Sequence, residues 1–137
     1  MNMTSAPAEV DNLLQEIQLM RGLSHPHIVA YLGAWVDAAQ GNLYIFQEWV
    51  PGGSVAHLLT RFGPFSLGVV REYTRQIVRG LEYLHSNGII HRDIKGGNIL
   101  VDANRTVKLA DFGASTTVSQ FNQTQVTTTV KGTPYFM

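Results

Sequence analysis

Two polar motifs stand close together in the second half of the sequence, and they constrain its fold and chemistry more than any other feature. The first is His91-Arg92-Asp93-Ile94-Lys95-Gly96-Gly97-Asn98, and the second is Asp111-Phe112-Gly113. Two short apolar runs between them, Ile99–Val101 and Val107–Ala110, flank a polar turn and predict a pair of strands. The acidic side chains therefore lie on loops next to regular elements, where a rigid scaffold can position them.

Hydrophobic periodicity predicts the elements at the start of the chain. Apolar residues recur at i, i+3, i+4, i+7 and i+10, which is typical of one face of a helix, and Gly22 and Pro26 end it. Ile28–Val36 and Leu43–Val50 are rich in β-branched and aromatic residues and predict a hairpin around a turn at residues 40–42. The helical stripe is Val10, Leu13, Leu14, Ile17 and Met20.

Helix caps predict two further helices after a break at Pro51-Gly52-Gly53. Ser54 is suited to N-cap a short helix that runs to about Thr60, and Ser66 is suited to cap a long one. Asn87-Gly88 supplies a C-terminal stop for the long helix. The sequence thus predicts an α+β fold in the order helix, two strands, two helices, two short strands and a loop. The predicted apolar face of the long helix is Val70, Tyr73, Ile77, Leu81 and Leu84.

Composition excludes several classes of function. Ten Lys and Arg residues balance ten Asp and Glu residues, which gives no support to a nucleic-acid or anionic-membrane partner. The absence of cysteine excludes disulfides, thiolate metal sites and cysteine nucleophiles. The longest apolar run, Ile28–Val36, is too short for a membrane-spanning helix, and Met1–Val10 lacks the features of a secretory signal. We therefore expect a cytoplasmic protein.

The first motif resembles the catalytic loop of eukaryotic serine/threonine protein kinases, H-R-D-x-x-x-x-N, and the second resembles their D-F-G. The resemblance implies transfer of the γ-phosphate of ATP to serine or threonine of a protein substrate, with ATP and Mg²⁺ as cofactors. Four phrases resemble MAP kinase kinase kinases and imply a MAP kinase kinase as the substrate. They are Val50–Val55, Gly80–His85, His91–Leu100 and Gly132–Met137.

The resemblance assigns roles to single residues of the two motifs. Phosphoryl transfer depends mainly on positioning and on neutralising the charge of the moving group. Asp93 matches the residue that orients the substrate hydroxyl and accepts its proton, and Lys95 matches a lysine that contacts the transferred phosphate. Asn98 and Asp111 match the two magnesium ligands, and oxygen ligands suit that ion. An ordinary polar loop is the alternative interpretation.

Residues 43–54 resemble the fifth strand and the hinge of the family. Gln47 falls at the gatekeeper position behind adenine, where glutamine is unusual for the family. A plain hairpin edge is the alternative. The other implied nucleotide contacts are the backbones of Glu48 and Val50 for adenine, Ser54 for the ribose and Leu100 as the floor of the pocket.

Regulatory roles are implied in the same way. Glu16, on the first helix, matches the glutamate that pairs with the strand-β3 lysine in active kinases, and a solvated helix glutamate is the alternative. Arg92 precedes Asp93, an arrangement that couples activity to a phosphate on the activation segment. Phe112 and Gly113 belong to the regulatory D-F-G. Thr127, Thr128 and Thr129 fall where the family has its activating phosphosites, and a flexible Ser/Thr-rich loop with no regulatory role is the alternative. Thr133 is expected to hydrogen-bond near Asp93 and Lys95.

The sequence contains no G-x-G-x-x-G loop and no V-A-I-K lysine before Glu16, and it reaches Met137 without an A-P-E motif. We therefore expect a partial kinase fold, with little activity from the 137-residue chain alone. A non-catalytic, kinase-like interaction fragment is the alternative function. The expected parts are a frayed N-terminus (1–9), a partial small lobe (10–50), a hinge (51–54) and a partial large lobe (55–137) with its catalytic loop (91–98) and activation segment (111–137).

Overall fold

The computed structural model describes residues 17–37, 39–40, 42–117 and 132–136. Its mixture of helices and strands confirms the predicted α+β class. Glu16, Thr127, Thr128 and Thr129 lie outside the described residues, as do Val10, Leu13 and Leu14 of the first helix. The elements are α1 (described over residues 17–21), β1 (Tyr31–Asp37), β2 (Asn42–Gln47), α2 (Val55–Phe62), α3 (Leu67–Ser86), β3 (Ile89–Ile90), a 3-10 turn (Gly96–Asn98), β4 (Ile99–Val101), β5 (Val107–Leu109), β6 (Thr116–Thr117) and a second 3-10 turn (Pro134–Phe136).

The predicted hairpin is present, but its strands are shorter than the apolar runs that predicted them. β1 and β2 pair antiparallel, with Trp35 opposite Tyr44. Ile28 instead forms a parallel bridge with Leu109, and the Val29 amide donates to the Leu109 carbonyl at 3.0 Å. The first apolar run is therefore divided between two sheets, because its beginning completes β5 and only its remainder pairs with β2.

Both predicted helix caps are confirmed. The hydroxyl oxygen of Ser54 accepts from the His57 amide at 3.2 Å, and that of Ser66 accepts from the Val69 amide at 3.5 Å. Each cap satisfies one of the backbone donors that have no partner inside the helix. Within the described part of the chain, no helix has both the length and the apolar character needed to cross a lipid bilayer.

α3 packs on β5 through a face that the apolar pattern only partly predicts. Val70, assigned to that face from the sequence, is 44% exposed, whereas Gln76 is buried. The side-chain oxygen of Gln76 accepts from the Val107 amide at 2.7 Å, and its nitrogen donates to the Arg105 carbonyl at 3.4 Å. Gln76 therefore satisfies two backbone groups of the β4–β5 turn and strand, which explains how a polar side chain is accommodated in the interface.

The core runs from α1 through the strands to the D-F-G loop, so the same packing supports both polar motifs. β3 and β6 form a two-residue antiparallel ladder, which no apolar run in the sequence predicts. This pair connects the start of the first motif to the residues after the second motif. The buried cluster consists of Met20, Ile28, Leu84, Ile89, Ile99, Val101, Val107, Leu109 and Phe112.

Candidate active site

A buried histidine holds the first motif against the second. His91 is 1% exposed, and its Nδ1 accepts from the Asp93 amide at 3.3 Å. The proton of the neutral ring therefore lies on Nε2, which donates to the Ala110 carbonyl at 3.1 Å. Burial lowers the pKa of His91, which favours this neutral form. The Ala110 amide donates in turn to the Asn98 carbonyl at 2.9 Å, so the two loops are joined in both directions.

The carboxylate of Asp93 is the centre of a polar cluster. Its Oδ1 accepts from the Thr133 hydroxyl at 2.6 Å, and its Oδ2 accepts from Asn98 Nδ2 at 2.9 Å. Lys95 Nζ lies 2.9 Å from the same Oδ2 and donates to the Thr133 hydroxyl oxygen at 2.8 Å. The hydrogen bonds from Thr133 and then Lys95 lower the pKa of Asp93. The carboxylate is therefore ionised at neutral pH.

Asp93 and Asp111 open on the same cleft, which has a volume of about 310 Å³. Asp111 has a positive φ of 63°, uncommon for a residue other than glycine, and its Oδ1 accepts from the Gly113 amide at 3.3 Å. Since Asn98 Nδ2 is used by Asp93, the side-chain oxygen of Asn98 is the atom that a cation can use. One carboxylate and one amide oxygen fit Mg²⁺, which is usually held by few protein ligands together with phosphates. The cleft is lined by Asp93, Asp111, Gly113, Ala114, Gly132 and Thr133.

Phe112 anchors the second motif in the core. Its side chain is 1% exposed, and its ring centroid lies 5.2 Å from that of His91. Met20 of α1 belongs to the same buried cluster, and Tyr31 of β1 packs against it. The phenylalanine therefore connects the loop that carries Asp111 to the helix and the hairpin of the first part of the chain.

Arg92 is bonded to the backbone that follows the second motif. Its Nε donates to the Ala114 carbonyl at 2.6 Å, and its Nη2 donates to the Ser115 carbonyl at 3.2 Å. The Ser115 hydroxyl donates to the His91 carbonyl at 3.3 Å. Burial lowers the pKa of Arg92, although a guanidinium remains charged in proteins. The sequence predicts a phosphate as the partner of Arg92, and in this structure the guanidinium binds carbonyl oxygens of residues 114 and 115.

The proposed gatekeeper, Gln47, lies against α1. Its Nε2 is 3.1 Å from the sulfur of Met20, a weak acceptor, so the end of β2 contacts the helix directly. The next residue, Glu48, donates its amide to the Ala30 carbonyl at 2.9 Å. A hydrogen bond from the Glu48 backbone to a nucleotide base would therefore have to use the Glu48 carbonyl.

The side chain of Glu48 makes an ion pair that the sequence analysis missed. Lys108 Nζ lies 2.9 Å from Oε1 and 3.0 Å from Oε2 of Glu48, and the Ala30 amide donates to Oε2 at 3.1 Å. Burial acts to raise the pKa of Glu48, but the hydrogen bonds from Lys108 and Ala30 act in the opposite direction and outweigh burial. The net effect is a lowered pKa of Glu48. The sequence gives no local signal for this pair, because alternation in β5 places Lys108 on the face opposite Val107 and Leu109, and its partner lies 60 positions away.

The segment after Glu48 lies directly on β4. Ser54 bridges to Leu100, and the Val101 amide donates to the Gly53 carbonyl at 2.9 Å. A Cβ atom on Gly52 would lie 2.2 Å from the Val101 carbonyl oxygen, so only glycine permits this approach. Val50 is 6% exposed. The structure thus brings Ser54 and Leu100, which were predicted to contact one nucleotide, next to each other.

The protein kinase domain family matches residues 2–137, and the chain belongs to that family. It is 52% identical over 130 residues to mitogen-activated protein kinase kinase kinase ANP1 of Arabidopsis thaliana, an alignment that covers 95% of this chain and 19% of the relative. It is 49% identical over 130 residues to mitogen-activated protein kinase kinase kinase 3 of Homo sapiens, covering 94% of this chain and 21% of the relative. It is also 49% identical over 116 residues to serine/threonine-protein kinase STE11 of Saccharomyces cerevisiae, an alignment that covers 85% of this chain and 16% of the relative. The chain therefore spans about a fifth of the length of these relatives.

Proposed function

We propose that this chain carries the catalytic loop of a serine/threonine protein kinase that transfers the γ-phosphate of ATP to a protein hydroxyl. The observation that supports this most directly is the cluster around Asp93, whose ionised carboxylate shares a cleft with Asp111. The names of the relatives describe kinases of MAP kinase kinases. We therefore propose a MAP kinase kinase as the substrate and the cytoplasm as the site of action.

Asp93 acts on the substrate hydroxyl. The carboxylate accepts a hydrogen bond from the hydroxyl, orients its oxygen toward the γ-phosphorus and takes the proton as the new P–O bond forms. The bond between the γ-phosphorus and the β-phosphate oxygen breaks, and ADP leaves. At neutral pH the Asp93 carboxylate is ionised, so it has a free lone pair with which to accept the proton.

Asp111 and the other implied site residues would bind the nucleotide and balance charge. Bound Mg²⁺–ATP supplies the phosphoryl group and neutralises its charge. Asp111 and the side-chain oxygen of Asn98 would hold the magnesium, and Lys95 Nζ would contact the transferred phosphate. On the nucleotide side, the carbonyl of Glu48 and the backbone of Val50 would bind adenine. Gln47 would close the pocket behind the base, with Ser54 at the ribose and Leu100 below the base.

Regulation of this activity would act through Arg92. A phosphate on Thr127, Thr128 or Thr129 would attract the guanidinium by charge, in competition with the carbonyls of residues 114 and 115. Glu16 would pair with a lysine supplied by the kinase small lobe.

The test is an isosteric substitution in the full-length protein. Asp93→Asn keeps the size of the side chain but removes the base, and we expect kcat to fall by about 10²- to 10⁴-fold in an assay with Mg²⁺–ATP and a MAP kinase kinase. Asp102→Asn is the matched control, because Asp102 lies in the β4–β5 turn, where Oδ1 accepts from the Asn104 amide at 2.7 Å. If Asp93→Asn retained the activity of the control, the proposed function would be wrong.

A further inference from the structure

The loop of residues 24–28 joins α1 to the hairpin, and it is fastened to α3 by Tyr83. The Ser24 amide donates to the Tyr83 hydroxyl at 2.9 Å. The rings of His25 and Tyr83 are stacked, with centroids 4.8 Å apart and an interplanar angle of 19°. The same loop leads from α1, which carries Met20 of the buried cluster, to β1.

The tautomer of the neutral His25 ring is fixed by a hydrogen bond inside this loop. The His27 amide donates to Nδ1 of His25 at 3.1 Å, so Nδ1 must carry a lone pair and the neutral ring has its proton on Nε2. Protonation of Nδ1 would place two N–H groups against each other. A cationic His25 therefore loses this hydrogen bond and acquires a repulsive contact in its place.

The neighbouring His27 responds differently. Its Nδ1 lies 2.9 Å from the Val107 carbonyl oxygen and must donate the hydrogen bond, so its Nε2 is the basic atom. Protonation of Nε2 leaves that bond intact. The two rings are 5.4 Å apart, so charge on one opposes charge on the other. Of the two histidines, only His25 loses a hydrogen bond when it takes up a proton.

We propose that His25 is a pH-sensitive latch, in which protonation of the ring breaks its hydrogen bond with the His27 amide and loosens the loop of residues 24–28. The charged and titratable groups around it are His27 on the same loop, Glu82 and Tyr83 on α3, and Lys108 on β5. Glu82 favours the cationic ring, whereas His27 and Lys108 oppose it.

The direction of the pH dependence follows from these surroundings. Burial first, and then the charge of His27, lower the pKa of His25 from its ordinary value of 6.5. A group with a lowered pKa in the folded state contributes full stability above its unfolded pKa and loses it as the pH falls through the folded pKa. The latch is therefore closed at neutral pH and opens in a window below about pH 6.5.

The test compares two asparagine variants in the full-length protein. His25→Asn places an amide oxygen where Nδ1 lies, so it can accept from the His27 amide and cannot titrate. His85→Asn is the control, because His85 lies exposed in the last turn of α3. Hydrogen exchange of the His27 amide and an NMR titration of the His25 ring are measured between pH 7.5 and 5.5, with intrinsic exchange corrected.

In the wild type and in His85→Asn, we expect protection of the His27 amide to fall as His25 takes up its proton, by up to about tenfold per pH unit. In His25→Asn, protection should be independent of pH over the same range. If the wild type and His25→Asn follow the same pH curve, His25 is not the latch. A pKa of His25 at or above the value of a free histidine would also overturn the proposal, whether or not the variants fold well.

Discussion

A single hydroxyl joins the end of the described chain to the loop around Asp93. Thr133 donates to Asp93 and accepts from Lys95, so it holds a base and a cation at hydrogen-bonding distance from itself. The direct Lys95–Asp93 contact of 2.9 Å completes a triangle in which each member touches the other two. Such an arrangement limits the rotamers of both charged side chains, which is what positioning for phosphoryl transfer requires.

Removing the Thr133 hydroxyl should therefore weaken catalysis without removing the base. Hydrogen bonds to charged groups contribute about 1.5–3 kcal/mol, so we expect Thr133→Val to lower kcat by roughly 10- to 100-fold in the full-length protein. The pKa of Asp93 should rise because its largest lowering contact is lost, and the acid limb of kcat/KM should move to higher pH. Thr133→Ser keeps the hydroxyl and should retain most of the activity. An unchanged acid limb in Thr133→Val would contradict this role.

Backbone strain at single residues could not be predicted from the sequence. Arg92, Arg105 and Asp111 all have φ values near +63°, a region that costs energy for residues with a Cβ atom. The residue types do not predict this backbone conformation, because it results from how the surrounding elements pack together. Two of the three belong to the polar motifs, where strain maintained by the fold is common at functional sites.

At the scale of elements, the hinge segment is positioned by β4. Gly52 and Gly53 lie against Val101 so closely that backbone contacts backbone, and the bridge from Ser54 to Leu100 continues the pairing. The hinge and the floor of the proposed nucleotide pocket are therefore in direct backbone contact. Any side chain at position 52 must separate them.

Gly52→Ala is expected to disturb nucleotide binding more than catalysis. Its Cβ would lie 2.2 Å from the Val101 carbonyl oxygen, so the hinge must shift away from β4. We expect KM for ATP to rise by about tenfold or more, equivalent to about 1.4 kcal/mol, with a smaller change in kcat. The matched control is Gly68→Ala in α3, where a Cβ would come no closer than 4.0 Å to Ser66 Oγ. Equal KM values in the two variants would show that the close approach does not position the hinge.

Local signals in the sequence predicted the elements, but not the contacts between them. The caps at Ser54 and Ser66 were predicted because an N-cap depends on residues three positions apart. The Glu48–Lys108 pair joins residues separated by 60 positions, and the Gln76–Val107 bond joins residues separated by 31. Such pairings depend on the three-dimensional arrangement of strands and helices. The roles proposed for the polar motifs came from family resemblance and could not have come from periodicity alone.

At the scale of the whole molecule, the hairpin has two different faces. Ile45 packs against the core, so the residues that alternate with it point away. Trp35 and Tyr44 stack on that outer face with ring centroids 5.4 Å apart, and Phe46 lies beside them. Trp35 is 56% exposed and Phe46 is 51% exposed. Three aromatic side chains thus form a continuous apolar surface that no described residue covers.

This outer face should make the 137-residue chain associate when it is produced alone, because contiguous exposed apolar surface and unpaired strand edges favour self-association. We expect light scattering to show oligomers that grow with concentration, together with a broad thermal transition. Replacing Trp35 and Phe46 together by lysine should shift the chain toward monomer, since charge on a strand face opposes edge-to-edge pairing. Phe62→Lys is the control, because Phe62 is a single exposed aromatic at the end of α2 and lies outside this surface. A monodisperse wild-type monomer with a sharp, cooperative transition would show that the described chain buries enough apolar surface to fold alone.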